Sequence, residues 1–134
     1  MINSKSETLN SKQYQMAKIQ NSKQYDLEER TLKFAARVRD YVKKLPKTIT
    51  NMEIGGQLFR AAGSVGANYI EANESLSKRD FVMRVKISRK ESKESRYWLQ
   101  LSEPAVGEEK EKEALIQETT ELMKIFGAIL EKCI

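Results

Sequence analysis

Apolar positions recur every three to four residues in four separate stretches of this chain, the spacing of helices that bury one side. In the first, Leu27, Phe34, Val38, Tyr41, Val42 and Leu45 share a face, and Arg30, Lys33, Arg37, Arg39, Lys43 and Lys44 occupy the remainder. Asp26 with Glu29 three positions on has the form of a capping box, and Pro46 closes the stretch, so an amphipathic, basic helix is predicted between them. A second run, Ile54, Leu58, Ala62, Val65 and Tyr69, is predicted to start at Thr50, capped with Glu53, and to end near Asn73. It carries Gly55, Gly56, Gly63 and Gly66. Each costs up to about 1 kcal/mol against alanine in a helix interior, so Ala62, Gly63 and Gly66 read as contact points for a close neighbouring helix.

The third stretch, Ser77 to Leu101, has three faces. With Ser77 and Asp80 at its cap and about 100° per residue, Phe81, Val85, Ser88, Ser92, Ser95 and Leu99 form a core side. Met83, Ile87, Trp98 and Leu101 form a second apolar side, on which Glu91 and Glu94 also lie, and Lys86, Arg89, Lys90, Lys93 and Arg96 form a cationic stripe. The second apolar side is either a wide buried stripe or an oligomer seam. The seam is preferred, because an outer helix of a bundle needs one buried stripe and tryptophan is an interface-favoured anchor. Met83, Ile87, Glu91, Glu94, Trp98 and Leu101 are therefore the interface candidates. After Pro104 and Gly107, a fourth stretch from Glu108 to Lys132 repeats Leu115, Thr119, Leu122, Phe126, Ile129 and Cys133 in steps of four and three. That is the seam of near-parallel helix packing, and four helices with short connections predict an all-α, up-and-down antiparallel four-helix bundle over residues 26–134.

Composition leaves that picture intact. Only two prolines and six glycines stand in 134 residues, which fits one helical domain. Residues 1–25 are rich in Ser, Asn, Gln and Lys, and Asn-Ser-Lys-Gln-Tyr at 10–14 returns at 21–25. Leu9, Tyr14, Met16 and Ile19 offer too little apolar surface to order this segment, so it reads as a mobile or partner-ordered tail. No apolar run is long enough to span a membrane or act as a signal peptide, which makes the cytoplasm the default location. Cys133, the single cysteine, has no intrachain partner and is assigned to terminal packing.

Charge changes the picture more. Residues 77–101 hold eight cations against three carboxylates, whereas residues 102–134 hold four against eight. Segregation of this kind suits sequence-tolerant phosphate contact, with Lys86, Arg89, Lys90, Lys93 and Arg96, joined by Arg37, Lys43 and Lys44 of the first helix, as the candidate nucleic-acid-binding residues. Attraction between the basic third and acidic fourth helices is the competing explanation.

The chain has no histidine, which removes the usual serine and cysteine triads, imidazole zinc sites and Glu-x-x-His di-iron pairs. Two carboxylate pairs remain, Glu71 with Glu74 and Glu91 with Glu94, and ion pairing with Arg60, Arg84 or Arg96 is the preferred reading over catalysis or metal binding. Gly63-Ser-Val-Gly66 has the letters of a KH-domain GXXG loop but lacks the strands around it, so it reads as a helix-packing surface. No enzyme activity, cofactor or metal is expected.

A string of residues in the second and third helices resembles a known family. Gln57-Leu58, Arg60-Ala61-Ala62, Ser64-Val65-Gly66-Ala67-Asn68, Glu71-Ala72, Ser77, Asp80-Phe81, Glu94 and Tyr97-Trp98-Leu99 are similar to the bacterial four-helix bundle proteins encoded in intervening sequences of 23S ribosomal RNA genes. The pattern spans about 45 residues, and the first and fourth helices agree in spacing. The resemblance implies up-and-down bundles assembled as rings, homopentamers, and relatives that serve as accessory factors of reverse transcriptases in diversity-generating retroelements. It brings no catalytic residues. The expectation is a non-enzymatic, homo-oligomeric protein that binds RNA or another nucleic acid; the alternative is a protein-interaction subunit without direct nucleic-acid binding.

Overall fold

The structure, a computed structural model, describes residues 26–133. Four helices are present, α1 (Asp26–Lys43), α2 (Ile49–Asn73), α3 (Lys78–Leu101) and α4 (Glu109–Lys132), and no strands occur among the described residues. The segment 1–25 and the side chain of Asp26, and with it the first capping box, lie outside the described residues.

Chain direction follows from the contacts, because partner numbers fall on one helix as they rise on the next. Thr31 of α1 meets Gly66 of α2 and Val42 meets Gly55. Val65 and Asn68 of α2 meet Ser88 and Arg84 of α3. Arg89 and Arg96 of α3 meet Gly127 and Thr120 of α4, and Arg30 and Arg37 of α1 meet Glu118 and Glu111 of α4. All four neighbouring pairs are antiparallel, which is the predicted up-and-down bundle.

The buried faces are those the periodicity marks. Phe34, Val38 and Tyr41 of α1, Leu58, Val65 and Tyr69 of α2, Phe81, Val85 and Leu99 of α3, and Leu115, Leu122 and Phe126 of α4 are at most 2% exposed. Each such side chain contributes roughly 1.5–3 kcal/mol on burial. Ser88, Ser92 and Ser95 complete the α3 core face, and their hydroxyls donate to the carbonyls of Val65, Ser88 and Glu91 at 2.8–2.9 Å. Small and internally satisfied, they let α3 sit close to its neighbours without an unpaired polar group. Cys133 is buried at the end of the core, as its assignment to terminal packing requires, and burial pushes its thiol pKa up.

Two local expectations are corrected. The second helix begins at Ile49, capped by Thr48 rather than Thr50: the Thr48 backbone is extended and its hydroxyl accepts the Asn51 N–H at 3.1 Å. The Asn51 side chain, in the position where a capping-box acid would sit, instead donates to the carbonyls of Pro46 and Glu103 and accepts the Glu103 N–H. It ties the α1–α2 loop to the α3–α4 loop. The second correction concerns Gly63, which has nothing within 4 Å of an added β-carbon. The close approach of α1 is at Gly66 and Gly55, where a β-carbon would stand 2.8 Å from Thr31 Oγ1 and 3.1 Å from a Val42 methyl.

Candidate nucleic-acid interface

Position on α3 decides what each cation can do. The core side of that helix is fixed by Phe81, Val85 and Leu99, so Lys86, Arg89, Lys90 and Lys93 project outward and are exposed. Arg89 reaches across α4, with its guanidinium carbon 3.8 Å from where a β-carbon on Gly127 would stand. Arg96, half-buried, donates to the Thr120 hydroxyl at 3.4 Å. Among the described residues, no carboxylate lies within ion-pair distance of Lys86, Arg89, Lys93 or Arg96, and Lys90 approaches Glu91 only at 3.7 Å. Arg79, seven residues before Lys86 and exposed, extends the stripe along the same face. Sequence reasoning passed over it, although the spacing alone would have found it. Tyr97, 56% exposed, also lies on this side, its ring edge-on to Trp98 at 5.0 Å between centroids.

The acidic side of α4 faces elsewhere. Arg30 of α1 forks onto Glu118 at 2.7 and 2.9 Å and reaches Glu121 at 2.7 Å. Arg37 meets Glu111 at 3.1 and 3.2 Å, and Lys44 approaches Glu108 at 3.8 Å. Donating to Glu118 holds the Arg30 guanidinium more firmly protonated, while bonds donated by Gln117 and Arg30 lower the Glu121 pKa. The competing explanation, attraction between α3 and α4, has no ion pair behind it among the described residues; those of α4 run to α1. Of the first-helix candidates, Arg37 and Lys44 face carboxylates, whereas Lys43 is exposed with none in ion-pair range among the described residues. A depression of about 280 Å³ between α1 and α4 is lined by Arg37, Asp40, Tyr41, Lys44, Glu108 and Glu111. Its one hydroxyl, Tyr41, shares a 2.6 Å hydrogen bond with Ser102 and is raised in pKa by burial.

The second apolar side of α3 is split by its surroundings. Ile87 and Trp98 are half-buried, Trp98 against the core, while Met83 and Leu101 remain 50% and 46% exposed. Glu94 is exposed beside them, and Glu91 is half-buried, its pKa raised by burial and then by Glu94. Within the chain, the arginines expected to make inter-helix or inter-subunit ion pairs with these acids take neutral partners: Arg60 donates to Gln57, Arg84 to Asn68 and Arg96 to Thr120. Among the described residues, no group of three or more His, Cys, Asp or Glu is arranged to hold a metal ion, and no helix is long and apolar enough to cross a membrane.

Comparison with known proteins places this arrangement. No curated protein matches the chain. A solved structure from Bacteroides thetaiotaomicron VPI-5482, described as a protein of unknown function from the S23 ribosomal protein family, is 29% identical and superposes with a TM-score of 0.66 over 77% of this chain and 96% of its own. The family model for the 23S rRNA-intervening sequence protein matches residues 23–128, which takes in all of α1, α2 and α3 and most of α4. Since that match covers well over half of the sequence, the chain belongs to the 23S rRNA-intervening sequence protein family.

Proposed function

We propose that this protein is a non-enzymatic, self-assembling four-helix bundle of the cytoplasm that binds structured RNA through the outer face of α3. The observation that carries this reading is the row Lys86, Arg89 and Lys93, exposed and without a carboxylate in ion-pair range among the described residues, while Glu111, Glu118 and Glu121 of the adjoining α4 are taken by Arg37 and Arg30 of α1. Cations left unneutralised by the fold can release counterions from a phosphate backbone on contact, the main source of affinity in sequence-tolerant binding. The family's description, which refers to an intervening sequence of 23S rRNA, makes RNA the first polyanion to try. Binding to a structured RNA fragment should weaken steeply with salt and fall at least tenfold when Lys86, Arg89, Lys93 and Arg96 are replaced by glutamine. Unchanged affinity in that variant, with the fold intact, overturns the assignment.

Self-association is the second part of the proposal. Met83 and Leu101, half-exposed beside Trp98, give a second copy an apolar strip to cover. The family resemblance suggests a closed ring of five copies. A light-scattering mass equal to one chain would contradict it. The same exposed residues favour a second reading, an accessory subunit acting through a protein partner such as a reverse transcriptase. That reading requires association with the partner to survive nuclease treatment.

A further inference from the structure

An aromatic ring ends the row of cations on α3. Counting about 100° per residue, Tyr97 falls at the same angle as Arg79, within roughly 20° of Lys86 and Lys90 and about 40° of Lys93. It stands about 6 Å along the helix axis beyond Lys93 and about 27 Å from Arg79. The ring is 56% exposed, and its contact is with Trp98, the centroids 5.0 Å apart and the planes at 77°. An edge-to-face contact covers at most one face of the tyrosine, so a flat apolar face stays open to solvent. Trp98 is itself half-buried against the core, which makes it a fixed bracket. A ring held in this way has little rotamer freedom left to lose on binding.

We infer that Tyr97 is a stacking platform for an unpaired base, so that the RNA taken by this face is a helix interrupted by a bulge, a loop or an open end. This rests on the RNA binding proposed above and names the class of RNA. A backbone that follows Arg79, Lys86, Lys90 and Lys93 is carried over Tyr97 by the same helix face. A continuous duplex keeps its bases stacked inside and would lay phosphate and sugar on the apolar ring, a poor match. An unpaired nucleotide presents a flat base there instead. Unstacked bases are what aromatic side chains recognise in RNA, because the deep, narrow major groove of an A-form helix is closed to side chains. Every base has such a face, so the contact is as tolerant of sequence as the cations are. The two parts divide the work: Lys86 and Lys93 supply a salt-dependent attraction, and Tyr97 supplies a preference for irregular structure that salt does not screen.

The test measures binding of the full chain to three RNA hairpins, one with a single bulged adenosine, one with that nucleotide made abasic, and one fully paired. Wild type is compared with Tyr97→Leu and Tyr97→Phe. Since the side chain is exposed, circular dichroism and sedimentation of both variants should match wild type. Wild type and Tyr97→Phe should bind the bulged hairpin at least about fivefold more tightly than the abasic one, and Tyr97→Leu should bind both alike at the weaker affinity. The slope of log affinity against log salt should be the same for all three proteins, because no phosphate contact is lost. Wild type that binds the three hairpins alike, with a steep salt dependence, overturns the inference and leaves the phosphate contacts standing. A Tyr97→Leu loss that is equal on all three hairpins overturns it as well, since a ring that only supports the helix would behave so. Wild type that binds none of them is a different result, which removes the RNA-binding reading itself.

Discussion

At the α1–α2 crossing there is no room for a β-carbon on Gly66, because Thr31 stands in the way and is itself held by a 2.9 Å bond to the Glu28 carbonyl. Gly66→Ala should therefore lose about 1–3 kcal/mol in urea denaturation although alanine is the better helix former. Gly56, with open space above it, should do the reverse and gain up to about 1 kcal/mol as alanine. Equal effects at the two sites would contradict the assigned crossing. Glu91 offers a second test through pH. Its folded pKa is raised by burial and by Glu94, so the native state binds its proton more tightly than the unfolded chain, and the stabilisation this gives is present at low pH and lost as pH rises through the folded value. Glu91→Gln should melt with wild type below the ordinary glutamate range and above wild type once Glu91 ionises. A variant less stable than wild type at pH 7 would contradict the direction.

Helices two and four show what periodicity alone conveys and what it leaves out. Leu115, Thr119, Leu122, Phe126, Ile129 and Cys133 were all legible as one buried row, because a step of four and three has a single geometric meaning on a helix. The same held for the α3 core face, down to its three serines. Caps and charge partners were not legible in the same way. Thr48 and Thr50 are both good caps by residue type, and the loop settles the choice by drawing the Asn51 side chain to Pro46 and Glu103. Which helix the acidic face of α4 meets depends on bundle rotation, which composition does not encode, so Arg37 and Lys44 entered the candidate list as free cations. Asn51 gives this scale its prediction: Asn51→Ala removes three part-buried bonds that tie the two loops together and should cost about 1–3 kcal/mol. A loss under about 0.5 kcal/mol in chemical denaturation would show that the two loops are held by other means.

Over the whole molecule, charge and apolar surface are sorted rather than mixed. One pair of helices, α1 and α4, neutralises itself through Arg30, Arg37 and Lys44, and the helix across the bundle keeps its cations open. With the Met83 and Leu101 side given to a neighbouring copy, the stripe from Arg79 to Lys93 would repeat around the assembly as a set of basic ridges, so that several weak phosphate contacts act together. Removing the α3 apolar side chains should then weaken RNA binding through lost avidity while leaving the salt slope per chain unchanged, which fluorescence anisotropy at fixed chain concentration can follow. The most direct measurement compares two charge-matched variants, Lys86→Gln with Lys93→Gln and Arg37→Gln with Lys44→Gln, for binding to one structured RNA over a salt series. The account predicts that the α3 pair lowers the slope of log affinity against log salt by roughly 1.5 to 2, the value for two lost phosphate contacts, and that the α1 pair leaves it near wild type. Equal slopes for wild type and the α3 variant, or the loss falling on the α1 variant instead, would contradict it.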